Sequence, residues 1–159
     1  MELRHFYFIK NKYFLDFPDS FLMSGKGDDG SHHGRPCFFA FMDASTGLYW
    51  MIPLTSKVSK FRKIYQKKMA RNGRCDTIVF GDVLGREKTF LIQNMCPIDD
   101  SYVLNEYLDA SRAPVRIENP LEAELEKKAL WALELQRKGK KVIFPDVLAI
   151  EKKLLSKHS

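Results

Sequence analysis

PCFFAFMDASTGLYWMIPLT, residues 36–55, holds two apolar runs on either side of a short polar stretch. Aromatic and branched side chains dominate both runs, as strands prefer. Between them, Ala44-Ser45-Thr46-Gly47 has the chemistry of a hairpin turn. The run 36–43 is almost continuously apolar, which predicts a strand buried on both faces. The return strand covers 47–54. The centre of the chain is therefore an antiparallel ladder.

Working outward, RHFYFIK (4–10) reads as a first strand. NKYFLDFPDSFLM (11–23) is aromatic and broken by Pro18, which fits a short helix or an irregular segment. SGKGDDGSHHG (24–34) is a polar, glycine-rich loop without periodicity. After the hairpin, SKVSKFRKIYQKKMARNG (56–73) turns helical. Val58, Phe61, Ile64, Tyr65 and Met69 recur at threes and fours, and Gly73 suits the C-terminal stop. CDTIVFGDV (75–83) and KTFLIQN (88–94) read as two strands joined around Gly85, and NMCPIDDSYV (94–103) as a segment leading out of the sheet. The last third changes period. A helix is expected over 120–138, with Asn119 at its cap, Pro120 in its first turn, Glu122 three residues after the cap and Gly139 closing it. A second helix is expected over 145–157. Strands followed by helices predict one α+β domain over 1–159. Its centre is a small, strongly bent antiparallel sheet or barrel, flanked by helices that include two at the C-terminal end.

Composition narrows the function classes. The chain has 159 residues, of which 45% are apolar, and it can bury a real core. No apolar run reaches the roughly 18 residues that span a bilayer. Charges at Glu2, Arg4, Lys10 and Lys12 interrupt any signal-peptide core. Cys37, Cys75 and Cys96 form no CxxC and cannot all pair, which suits a reducing compartment. A cytoplasmic protein is expected. The net charge is +6, and residues 96–159 are balanced, so the excess lies in residues 1–95. Residues 57–74 alone carry Lys57, Lys60, Arg62, Lys63, Lys67, Lys68, Arg71 and Arg74, with no acid. Such a patch favours a polyanion, and nucleic acid first. The alternative is a solvated helix face.

Thr55, Ser56 and Lys57 stand where the second hairpin strand gives way to the basic helix. One hydroxyl there is a helix cap, worth about 1 kcal/mol. Two hydroxyls and a lysine exceed what a cap needs, and with free helix amides they have the makings of a phosphate site, the cap alone being the other reading. HHGRP (32–36) lies at the mouth of the first hairpin strand. Arg35 offers a fork suited to phosphate, and His32 and His33 are of a residue type suited to proton transfer near neutrality, with solvated loop histidines as the other reading. A metal site from His32, His33 and Cys37 has no recognisable spacing, so no metal is expected. Pairing of the hairpin strands brings their far ends together, which puts Arg35 and the histidines beside Thr55, Ser56 and Lys57. Tyr7 and Tyr13 are candidates to stack on bases, with core packing as the other reading. Walker, Rossmann and zinc-finger patterns are absent, and no cofactor is expected.

Three blocks, FYFIKNKYFLDF, RPCFFAFMDASTGLYWMIPLTSK and LIQNMCPI, resemble in order the toxins of type III toxin–antitoxin systems. These are the ToxN/AbiQ/CptN endoribonucleases, and the CptN branch is the most similar. The blocks span roughly residues 6–98, and the two C-terminal helices fit the same plan. The resemblance implies an SH3-like barrel core of the MazF and Kid type. It implies metal-independent RNA cleavage by 2′-hydroxyl attack, leaving a cyclic phosphate and a 5′-hydroxyl. It also implies an RNA partner, a small pseudoknot antitoxin cut from a repeat array by the toxin itself, and a role in phage defence. Residue by residue, Tyr13 matches the site tyrosine, Thr55 and Ser56 the hydroxyl pair, and Arg35 the arginine of the RP block. The family's TSPK reads TSKV here, so its lysine corresponds to Lys57 or Lys60. The family's lysine before RP has no lysine counterpart; His32 or His33 stands nearest and Lys26 further back. Two other readings fit the same basic surface: an RNA-binding module without activity, and a toxin that grips a protein as gyrase inhibitors do. The basic run disfavours the second.

Overall fold

The fold was obtained as a computed structural model that describes residues 1–24 and 34–157. The predicted hairpin is its centre. Strand β1 (Phe6–Ile9) is followed by a short helix, α1 (Asn11–Asp16), and then by the hairpin strands β2 (Pro36–Met42) and β3 (Tyr49–Thr55). Asp43 ties the turn: its carboxylate accepts the Ser45 amide at 3.0 Å, and its carbonyl accepts the Gly47 amide at 2.7 Å. Gly47 has φ +75°, a conformation that L side chains resist.

Helix α2 (Val58–Asn72) ends as its sequence requires. Gly73 adopts a left-handed conformation and donates its N–H to the Met69 carbonyl at 2.8 Å. Strands β4 (Ile78–Val83) and β5 (Arg86–Leu91) follow as a second hairpin. A 3-10 turn (Ile92–Asn94) leads to β6 (Cys96–Ile98), and another (Asp100–Tyr102) to β7 (Val103–Glu106). The segment expected to leave the sheet thus adds a strand to it, β6, and runs into another, β7. Helices α3 (Asn119–Arg137) and α4 (Val147–Ser156) complete the chain. Glu118, not Asn119, occupies the cap position of α3 and makes no capping bond. Glu122, nearly fully buried, is engaged by Arg116 at 3.0 Å and Arg4 at 3.8 Å instead of closing a capping box.

The sheet is antiparallel in every pairing, in the order β4-β5-β3-β2-β1-β7, with β6 also on β3. It is open: among the described residues no ladder joins β4 to β7. The fold class expected from the sequence is present as this open sheet with flanking helices rather than as a closed barrel. Strand β3 serves two partners along one edge. Tyr49, Trp50 and Met51 pair with β6, whereas Leu54 and Thr55 pair with β5. Pro53, which has no N–H for a ladder, falls in the gap between them.

Burial of β2 on both faces is as predicted. Phe38, Ala40 and Phe41 join Trp50, Ile52, Phe90, Leu125 and Ala129 under α3. Cys37 and Phe39 join Tyr13, Met51, Cys96, Ile150 and Leu154 under α1 and α4. A register shift between Phe39 and Phe41 turns two successive residues, Ala40 and Phe41, to the α3 side. Complete burial of one such side chain contributes about 1.5–3 kcal/mol. Phe61 of α2 packs with Ile78 and Leu91 in a third cluster over β4 and β5. No helix among the described residues is long and apolar enough to cross a membrane.

Candidate active site

The Thr55 end of β3 and the mouth of β2 meet, as the sequence predicted. Cys37 pairs with Pro53, and one step further out Arg35 Nη1 donates to the Leu54 carbonyl at 2.6 Å. The guanidinium is thus held against the residue before Thr55. Arg35 is partly buried, and the desolvation lowers its pKa from the ordinary arginine value. It stays a cation at neutral pH all the same. Its Nε is buried and has no hydrogen-bond partner among the described residues. Gly34, just before it, lies so close to the Phe8 ring that an added Cβ would stand 2.8 Å from Cδ1.

Thr55 is only 5% exposed. Its Oγ1 accepts the Lys57 amide at 3.2 Å, and the Ser56 carbonyl accepts the Val58 amide at 2.9 Å. These two bonds fold 55–58 into a turn that feeds α2. Lys57 is the cap residue of that helix and supplies no capping side-chain bond. The Thr55 hydroxyl therefore shapes the approach to the helix rather than capping its amides. Ser56 and Lys57 are exposed at the tip. The Ser56 hydroxyl, the Lys57 ammonium group and the start of α2 follow directly on Leu54, whose carbonyl holds the Arg35 guanidinium, and groups of this kind suit an anionic oxygen cluster.

Tyr13 departs from expectation. It is fully buried, and its hydroxyl donates to the Pro97 carbonyl at 2.7 Å. Burial, then the nearby Cys96 thiol, pushes its phenol well above the usual tyrosine value. The ring meets Phe14, Phe17 and Tyr102, so its faces are taken by core aromatics and it has none to offer a base. Tyr7 is likewise buried, with its hydroxyl accepting the Glu2 amide at 2.6 Å. His32 and His33, with Lys26, lie outside the described residues. Among those described, no three His, Cys, Asp or Glu side chains group as a metal site.

The basic run divides in two. Lys60, Lys63, Lys67 and Arg71 are exposed and recur at threes and fours, which makes one stripe along α2 about 16 Å long. The stripe begins beside Lys57. Lys68 is turned inward, against the expectation that it meets RNA. Its Nζ donates to Gln93 Oε1 at 2.8 Å and Thr77 Oγ1 at 3.3 Å and lies 5.6 Å from the Phe144 ring centre. Arg62 pairs with Glu87 at 2.7 Å over the Phe80 ring, and Arg74 with Asp76 at 2.5 Å. Both pairs are exposed enough to open at little cost.

Sequence reasoning overlooked Thr89. It faces Thr55 across the β3–β5 ladder and is fully buried. A lone threonine in an apolar strand gave no signal.

No protein-family profile matches the chain, and no curated protein does. A solved structure does match: AbiQ, a lactococcal anti-phage endoribonuclease belonging to the type III toxin–antitoxin system. Identity is 15%, the TM-score is 0.71, and the superposition covers 99% of either chain. At that identity the likeness speaks for architecture, and this chain has the fold of AbiQ.

Proposed function

We propose that the chain is a sequence-selective endoribonuclease toxin of a type III toxin–antitoxin system. One observation carries the reading: the Arg35–Leu54 bond, which ties a guanidinium to the residue just before Thr55, Ser56 and Lys57, where a basic helix starts. The fold shared with an endoribonuclease of such a system supports it.

In this mechanism an RNA 2′-hydroxyl attacks the adjacent phosphorus. The new 2′-O–P bond forms as the bond to the 5′-oxygen breaks, leaving a cyclic phosphate and a 5′-hydroxyl. Arg35, Lys57, Ser56 and Thr55 stabilise the charge that grows on the non-bridging oxygens, usually the largest catalytic contribution. His33, or His32 in its place, takes the 2′-hydroxyl proton or gives one to the leaving oxygen. Lys60, Lys63, Lys67 and Arg71 hold the strand that runs away from the cut. No metal takes part. The partner is a small pseudoknot RNA that the toxin cuts from its own repeat transcript and that inhibits it in a toxin–RNA assembly. The setting is cytoplasmic defence against phage.

The test is incubation of the purified protein with structured and single-stranded RNA in EDTA, followed by mapping of the ends. Discrete cuts with cyclic-phosphate ends are expected. RNA that is bound tightly and stays intact would make this a binding module and end the enzymatic reading.

A further inference from the structure

We propose that Thr89 is a positioning residue for the site, acting through Thr55; the inference rests on the phosphate-binding role given to Thr55 above. Among the described residues four buried side-chain polar atoms have no hydrogen-bond partner: Arg4 Nε, Arg35 Nε, Trp50 Nε1 and Thr89 Oγ1. Two of the four border Thr55. Arg35 is clamped to the residue before it, and Thr89 is its cross-strand partner. Buried polar groups are nearly always satisfied, so an orphan in a native core calls for a reason.

Thr89 lies on a middle strand. It pairs with Thr55 on one side and with Phe80 on the other, and it is fully buried. Leu91, two residues on and so on the same face, packs with Phe61 in the first turn of α2. The orphan hydroxyl therefore sits under the start of α2, on the face shared by Thr55. Directly paired residues in an antiparallel ladder have Cβ atoms about 4.5–5.5 Å apart, close enough for two threonine hydroxyls to bond in a suitable pair of rotamers.

Thr55 Oγ1 already accepts the Lys57 amide, which leaves its proton to donate and a second lone pair to fill. When Thr55 donates to an anionic oxygen, Thr89 can donate to Thr55. The result is a relay in which Thr89 O–H polarises Thr55 O–H, and Thr55 O–H meets the phosphate. Hydrogen bonds in such a chain strengthen one another, and a buried donor loses little of that to water.

Two variants test this. Thr89→Val keeps the shape and removes the hydroxyl; Thr89→Ser keeps the hydroxyl. In RNA cleavage, Thr89→Val should lower kcat about tenfold with KM little changed, and Thr89→Ser should stay within about twofold of the parent. Loss of an unsatisfied hydroxyl should leave Tm unchanged or raised in Thr89→Val, the opposite of what a packing role predicts. Inorganic phosphate, titrated while the Lys57 amide resonance is followed, gives a readout independent of catalysis. Thr89→Val should bind several-fold more weakly than the parent, and Thr89→Ser like it. Equal phosphate binding by the parent and Thr89→Val overturns the proposal, as does a parent that binds none or a Thr89→Ser variant as impaired as Thr89→Val. Should the parent bind phosphate with this pattern but cut no RNA, the relay stands and the nuclease reading falls.

Discussion

Lys67 and Lys68 are adjacent and chemically identical, and replacing them should do opposite things. Lys68 Nζ bonds Gln93 Oε1 and Thr77 Oγ1, and Gln93 is only 4% exposed. Lys68→Met keeps most of the packing and deprives the Gln93 carbonyl oxygen of its short charged donor, leaving it only the Thr77 hydroxyl at 3.5 Å. A buried acceptor deprived in this way costs about 1–3 kcal/mol. At about 2 kcal/mol, a chain of this length should lose roughly 4–8 °C in Tm. RNA affinity below the melting range, and its salt dependence, should be unchanged. Lys67→Gln, on the exposed stripe, removes one phosphate contact. The slope of log K against log salt should flatten by about 0.7 for a single strand, which near 0.1 M salt is about fivefold in Kd. Replacing Lys60, Lys63, Lys67 and Arg71 together should flatten it by about 2.8. The assay is filter binding of single-stranded RNA from about 50 to 300 mM salt, with Ser56→Ala in every protein to suppress cleavage, alongside thermal melts of the same samples. If Lys68→Met flattens the slope as much as Lys67→Gln and leaves Tm alone, the orientation of α2 described above is wrong.

Thr55→Ala with Ser56→Ala should slow RNA cleavage about 100- to 1,000-fold, the usual range for lost charge-stabilising donors, as read by single-turnover kinetics. Tyr13→Phe removes the bond to the Pro97 carbonyl from a closed core, so it should lower stability by about 1–2 kcal/mol in urea titrations; cleavage by the folded fraction should persist, whereas complete loss of rate at full stability would restore Tyr13 to the reacting atoms. Burial pushes the Cys96 thiol up to about 12 and the Cys37 thiol higher still. In the unfolded chain both ionise near 8.5, so below that pH neither affects the balance; above it the unfolded state sheds protons that the folded state keeps. Stability should therefore fall from about pH 8.5 toward 12, by up to about 1.4 kcal/mol per pH unit for each thiol, and Cys37→Ala with Cys96→Ala should flatten the alkaline limb of a pH–stability curve.

What the sequence revealed depended on how local the cause was. The hairpin was legible because its turn chemistry and its apolar runs lie within twenty consecutive residues. Helix α2 was legible because period and terminal glycine agree, and the approach of Arg35 to the Thr55 end of β3 followed from the hairpin alone. Strands β6 and β7 were not legible: they are three and four residues long, Pro97 breaks the first, and both exist because distant strands supply their ladders. The role of Tyr13 is decided by a carbonyl 84 residues away. Lys68 differs from Lys67 by a rotation of about 100° on the helix, and what it meets, a glutamine in a 3-10 turn, has no signature. Thr89 became visible only when its neighbours, and its want of a partner, were in view.

The two-sided burial of β2 bears on when the site can form. The face that carries Cys37 and Phe39 is covered in part by Ile150 and Leu154 of α4. That helix leaves the ribosome after every element it covers. A nascent chain that has reached residue 146 already holds Arg35, Thr55, Ser56 and Lys57, yet the strand that aligns them is still wet along one side. The corner where Arg35 meets the Leu54 carbonyl is therefore set only once Val147–Ser156 has been made, long after its own residues.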